Sequence, residues 1–338
     1  MFCIAAECGH TDVVRLLLEP CYAVKPNWER TAGTTALWLA VKEGHFETTS
    51  YLLAHAKLSA QSLRNIILAV PITTWFGPSK LDPANAILEL LVKDPRISVS
   101  NRDSRGRTLL SWAAENGNIA AMSIILNSER QDERRALLED AGDHEGRTPL
   151  YYAAWHGHVP AIKVLSEAGN LDVQLHALGP EKENAIAAAA RHGHAEAVQL
   201  LADLDPNGLD LETDARRTPL SLTALAADEA GASVARTLLS TGRVQVDSKC
   251  ESGRTPLEYA VSAARFELMR VLVREGGANL ENVIEFKIDG TPSLLVEPAA
   301  DWERERVIAE LAALAKDRTE AASRNVTLRA RGVSDDQQ

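Results

Sequence analysis

GRTPLYYAAWHGH, residues 146–158, joins a set of helix signals to a set of residues that no helix needs. Thr148 and Pro149 open a helix, with proline in the first turn, where its missing N–H costs nothing. Leu150, Ala153 and Ala154 follow at helical spacing and form a narrow stripe of small apolar side chains. Gly157 ends the helix, as a residue free to enter the left-handed region does. Pro160 then stands in the first turn of a second helix that carries Ile162, Val164 and Leu165. One such helix pair cannot bury its apolar face, so it needs neighbours of the same kind.

The neighbours are present. Variants of Gly-x-Thr-Pro-Leu stand at Gly33–Leu37, Gly106–Leu110, Arg216–Leu220 and Gly253–Leu257, with a shorter Gly-Thr-Pro at Gly290–Pro292. The threonines at 35, 108, 148, 218, 255 and 291 are separated by 73, 40, 70, 37 and 36 residues, which is one or two units of about 35. Gly-His recurs at Gly9-His10, Gly44-His45, Gly157-His158 and Gly193-His194. An apolar helix pattern follows each one. Self-similarity at this period marks a stacked array.

With both landmarks in place, the chain resembles the ankyrin-repeat family, whose signature is Thr-Pro-Leu-His-x-Ala-Ala, then Gly-His, then a second helix. The resemblance implies an all-α solenoid of stacked helix-turn-helix units with hairpin loops, and a concave binding face lined by hairpins and first helices. About nine units are expected over residues 1–318. The third (about 58–94) keeps only its helices, and the ninth (about 288–317) reads as a polar cap. Residues 319–338 lose the periodicity and are expected to be disordered. The first unit starts at its first helix without a preceding hairpin, which is compatible with truncation.

The chain departs from the family in several places. The histidine after Thr-Pro-Leu is replaced by Trp38, Ser111, Tyr151, Ser221 and Glu258, so apolar contacts should substitute for a lost hydrogen bond. A charged insertion at Gln131–Ala141 reads as an extra helical turn or two, and Leu220–Gly231 seats another. Val70–Asp82 (VPITTWFGPSKLD) is a Pro/Gly-punctuated loop that projects Trp75 and Phe76.

Bulk properties narrow the function. The 338 residues are 45% hydrophobic and 25% charged, typical of a folded globular chain, and no apolar run is long enough for a membrane span. Four unevenly placed cysteines make no disulfide framework, which favours a reducing, intracellular and cytoplasmic setting. A net charge of −11 argues against binding nucleic-acid phosphates. No cofactor motif occurs. Cys3, Cys8, His10 and Cys21 lack metal-site spacing, so no metal is expected.

Trp112, Tyr152 and Tyr259 share one repeat position, four residues after the threonine, where core packing is the ordinary role. Trp155 and His156 fall further on, at the exposed end of the first helix. Their counterparts there are Lys42 and Glu43, Glu115 and Asn116, Arg191 and His192. A tryptophan in that place is not required by the fold, and amphipathic aromatics make interface anchors.

Two functions of different class follow. The first is a non-catalytic scaffold whose aromatic, acidic concave face holds a protein or peptide partner. The second is a protein binding an apolar small molecule, or an atypical enzyme. Its pocket would be walled by Trp38, Trp75, Phe76, Trp112, Tyr152 and Trp155, with His156 and Glu115 or Glu43 as polar and catalytic groups. At a helix spacing of roughly 8–10 Å, Glu115 is expected to face His156 only across a water or a bound molecule.

Overall fold

A threonine or asparagine opens each well-formed repeat. In the computed structural model of the chain, the Oγ1 of Thr35, Thr108, Thr148 and Thr255 accepts the backbone N–H three residues on, at 3.2–3.3 Å, and Asn184 Oδ1 does the same at 2.8 Å. Each cap satisfies an N–H that the helix itself leaves unpaired. The structure describes residues 1–22, 24–30, 34–63, 66–69, 81–128, 131–139, 142–169, 171–286, 292–294 and 304–335. They fall into two compact units, Met1–Pro180 and Glu181–Gln338.

In the first unit the helix pairs are α1 (Phe2–Glu7) with α2 (Thr11–Leu17), α3 (Ala36–Glu43) with α4 (Phe46–His55), α7 (Leu109–Glu115) with α8 (Ile119–Leu126), and α10 (Pro149–Trp155) with α11 (Val159–Ala168). The third repeat is irregular. A short α5 (Ala60–Leu63) and a 3-10 turn (Ile66–Ala69) replace its first helix, and α6 (Leu81–Lys93) is its second. First helices pack on first helices, α1 on α3 and α7 on α10, while α2, α4, α6, α8 and α11 pack in succession as a second layer. Between the layers lie Leu37, Leu52, Ile87, Leu88, Leu110, Met122, Leu150, Ile162 and Leu165, all buried.

The Gly-His steps tie one repeat to the previous one. His45 Nε2 lies 2.8 Å from the carbonyl oxygen of Glu7, and His158 Nε2 lies 3.0 Å from that of Glu115, so each ring bonds an end-of-helix carbonyl one repeat back. The same rings lie on the glycines of that earlier repeat. A Cβ on Gly9 would sit 2.5 Å from the His45 ring, and one on Gly117 2.9 Å from that of His158. Glycine is therefore required twice over, by positive φ and by the ring of the following repeat.

The charged insertion is a full helix, α9 (Gln131–Glu139), packed against α12 (Leu171–His176) of the next repeat through buried Leu137, Leu138 and Leu175. Gln174 on α12 accepts the N–H of Leu150 at 3.2 Å, giving α10 a second N-terminal acceptor. The loop residues Val70–Lys80, with Trp75 and Phe76, lie outside the described residues.

The second unit contains α13 (Ala185–His192) with α14 (Ala195–Leu204), α15 (Pro219–Leu222) with α16 (Asp228–Ser240), and α17 (Pro256–Ser262) with α18 (Phe266–Arg274). The extra turn expected in residues 220–231 is a 3-10 turn, Thr223–Leu225. The end of the array is not a helix pair. Strands β1 (Ile284–Phe286) and β2 (Pro292–Leu294) form an antiparallel hairpin, with Ile284 opposite Leu294. Beside it α19 (Arg304–Asp335) buries Val307, Leu311 and Leu314 and packs on α18. Arg270 pairs with Glu310 at 2.6 Å and Arg274 with Asp317 at 2.7 Å, so the cap is held by charge as well as by apolar contact. This helix runs through residues 319–335, beyond the apolar pattern that ends near Leu314.

Candidate functional site

Arg107, which the sequence reading passed over, organises the junction of α7 and α10. Its guanidinium carbon lies 3.8 Å from the ring centre of Trp112 in its own repeat and 4.3 Å from that of Tyr152 in the next. It also pairs with Glu115 at the end of α7. Arg147, one repeat on, lies 5.4 Å from the Tyr152 ring centre. Arginine and aromatic groups thus alternate from Trp112 to Arg147, with Arg107 buried between its two rings and Arg147 partly open to water. The arginine between glycine and threonine in Gly-Arg-Thr was the available signal for this ladder.

Asp143 anchors it. Its Oδ1 accepts the N–H groups of Glu145 and Arg147, both at 2.9 Å, and its Oδ2 accepts the Tyr152 hydroxyl at 2.7 Å and Arg147 Nε at 2.9 Å. Burial works against the charge, but these donors outweigh it and hold the carboxyl below its ordinary range. Burial, with the carboxylate of Asp143 as acceptor, pushes the Tyr152 hydroxyl well above that of a free tyrosine. Asp103 makes the matching hairpin one repeat back, with Oδ1 accepting from Arg105 and Arg107 N–H and Oδ2 from Trp112 Nε1. In the second unit Cys250 takes this hairpin position, 3.2 Å from the Tyr259 hydroxyl. Burial there raises the thiol, but contacts from Ser252, Tyr259 and the backbone bring it below its ordinary value.

Beside the ladder is a recess of about 300 Å³, lined by Glu115, Arg147, Tyr151, Tyr152, Trp155 and His156. Tyr151 and Tyr152 are buried, Trp155 is half-buried and His156 is exposed. The Tyr151 and Trp155 ring centres are 5.8 Å apart. His156 Nε2 stands 3.9 Å from Glu115 Oε1, so the two side chains close the helix spacing themselves. That distance is within reach of an ion pair but longer than a direct hydrogen bond. A larger recess of about 530 Å³ lies between α6 and α8, lined by Glu89, Val92, Lys93, Ser123, Ile124, Asn127 and Ser128. It lacks aromatic walls, and its two charged residues, Glu89 and Lys93, pair with each other at 3.7 Å, so the smaller recess is the better candidate despite its size.

Four of the expected site residues, Glu115, Tyr152, Trp155 and His156, meet at this recess. Trp112 supports it from behind through Arg107. Asn116 turns back to donate to the Trp112 carbonyl oxygen at 2.8 Å. Trp38 and Glu43 do not line it; Lys42 sits 5.4 Å over the Trp38 ring centre and 4.0 Å from Glu43. His192 belongs to the second unit, where it stacks on His194 with ring centres 6.4 Å apart. Among the described residues no group of His, Cys, Asp or Glu is placed to hold a metal ion, and no helix is long and apolar enough to cross a membrane.

The family model for ankyrin repeats matches the chain in three copies, over residues 1–64, 81–176 and 186–283. The chain belongs to the ankyrin-repeat family. The break in the match after residue 64 coincides with the insertion in the third ankyrin repeat, and the match ends at 283, where the hairpin and α19 replace a helix pair. Ankyrin repeats generally mediate protein–protein interaction.

Proposed function

We propose that this ankyrin chain is a non-catalytic scaffold that grips a protein or peptide partner at the Trp155 recess, between α7 and α10. The observation that carries the reading is Trp155 itself, a half-exposed tryptophan on the rim of a recess whose other walls are already rigid. Trp155 keeps part of its ring exposed at the rim, whereas Tyr151, Tyr152 and Arg107 hold the walls in place before any partner arrives. Such preorganisation lowers the cost of association. Glu115 is engaged by Arg107 and lies beside His156, an arrangement that stabilises the wall rather than poising a proton-transfer pair.

The test is a Trp155→Ala variant measured against peptides selected on the wild-type chain. Binding should weaken by about 2 kcal/mol or more, the loss typical of a buried aromatic anchor, while the melting temperature moves by no more than a few degrees. Undiminished peptide binding sinks the proposal. The recess also favours a second reading, an apolar small molecule, since about 300 Å³ lies at the lower end of ligand-cavity size. A hydrophobic dye that selected peptides do not displace and that Trp155→Ala still binds would remove that reading from this recess.

A further inference from the structure

Around the recess the carboxylates and the cations are not used to the same extent. Glu115 carries Arg107 on one oxygen and faces His156 with the other. Both oxygens of Asp143 are filled by four donors. Asp103 is filled in the same manner, and Glu145 Oε2 lies 3.0 Å from Arg147 Nη1. Asp143 and Asp103 are therefore held within the chain, while Glu145 stays more than half exposed and pairs through Oε2 alone. The arginines are not used up. Arg147 spends Nε on Asp143 and Nη1 on Glu145, and its Nη2 has no partner among the described residues. Arg105 is exposed at the tip of the adjacent hairpin, where its carbonyl oxygen accepts the His144 N–H at 3.0 Å, and its guanidinium has no partner among the described residues. Although the whole chain is acidic, at −11, both arginines at this place keep donors for a further acceptor.

We infer that the recess takes an apolar side chain of a partner peptide that carries a carboxylate one or two residues away, bound by Arg147 with Arg105 beyond it. This rests on the reading of the recess as a peptide site and names the peptide's chemistry. A guanidinium half-withdrawn from water and fixed by Asp143 loses little freedom on binding a second carboxylate, and such charge-assisted contacts are the strong ones. Trp155 and Tyr151 supply the apolar wall. A recess of about 300 Å³ that is open on one side suits one side chain of a longer segment, with the rest of the segment running over the hairpin tips.

The experiment selects peptides from a random dodecapeptide display library on the full-length chain, then measures synthetic copies with both termini blocked. Selected sequences are expected to place Asp or Glu beside Leu, Phe or Trp. Replacing that acid by its amide should weaken binding to the wild-type chain about tenfold. The same replacement should cost little against Arg147→Gln, which makes a double-mutant cycle between peptide acid and arginine. Arg105→Gln should produce a smaller, salt-sensitive loss. The amide arm uses only wild-type protein, so it stands even where Arg147→Gln folds poorly. Peptides that lose binding with Trp155→Ala but are indifferent to the amide replacement, or that carry Lys and Arg instead, overturn the carboxylate inference and leave the recess reading intact. Peptides indifferent to Trp155→Ala overturn both.

Discussion

Single side chains decide the junction between the repeats of α7 and α10. Asp143 is buried, charged and bonded to four donors; asparagine there keeps one acceptor oxygen for the backbone N–H groups but sets an NH2 donor against Arg147 Nε and the Tyr152 hydroxyl. Asp143→Asn is expected to cost about 2–3 kcal/mol by urea denaturation at pH 7. The pH dependence has a definite sign. The folded pKa lies below the ordinary value of 3.8, so the stabilisation is complete above pH 3.8 and disappears as pH falls through the lowered folded value. The gap in stability between wild type and Asp143→Asn should therefore be flat from pH 7 to 5 and shrink below pH 4. A gap that stays constant to pH 3 contradicts the assignment. At this scale the sequence singled out Trp155 and His156 because they were surplus to the repeat pattern. It did not single out Arg107 or Arg147, because arginine within a repeated motif looks like part of the motif until its stacking partner is seen.

Elements obey local chemistry, and the exceptions are informative. Where other repeats place glycine before the second helix, α17 and α18 are joined through Ala264, at φ +50°. A left-handed alanine costs about 1–2 kcal/mol, only partly offset by the chain entropy that glycine loses on folding. Ala264→Gly should stabilise the chain by about 0.5–1 kcal/mol, read as a rise in melting temperature, and an unchanged or lower temperature contradicts the strain argument. Helix starts, stops and the α9 insertion were legible because caps, prolines and glycines act within a few residues. The β1–β2 hairpin was not legible. Its strands are three residues long and depend on α19 for cover, which no local pattern reveals.

On the scale of the whole molecule, the described helices of each unit pack on those of adjacent repeats, so damage should spread by proximity. Leu268 is buried in α18, which packs on α16, α17 and α19. Leu268→Ala is expected to cost about 2–5 kcal/mol. Hydrogen exchange should rise first in those four helices, with α13 keeping its protection longest within the second unit. Uniform loss of protection across that unit would show all-or-none behaviour instead and contradict the repeat-by-repeat picture.

The sequence by itself determined the repeat, the family and the helix pairs, because caps, prolines, glycines and apolar stripes act over a turn or two and recur. Only the tertiary structure decided which residues meet. Stacking brings Arg107 of one repeat between its own Trp112 and the Tyr152 of the next, forty-five residues away in the chain, and brings Glu115 within 3.9 Å of His156. It also decided the local charge, since an acidic composition says nothing about which carboxylates are already held by arginine and which arginines retain a free donor. Pairing depends on side-chain reach across the repeat interface, and that distance is written in the packing rather than in the order of residues.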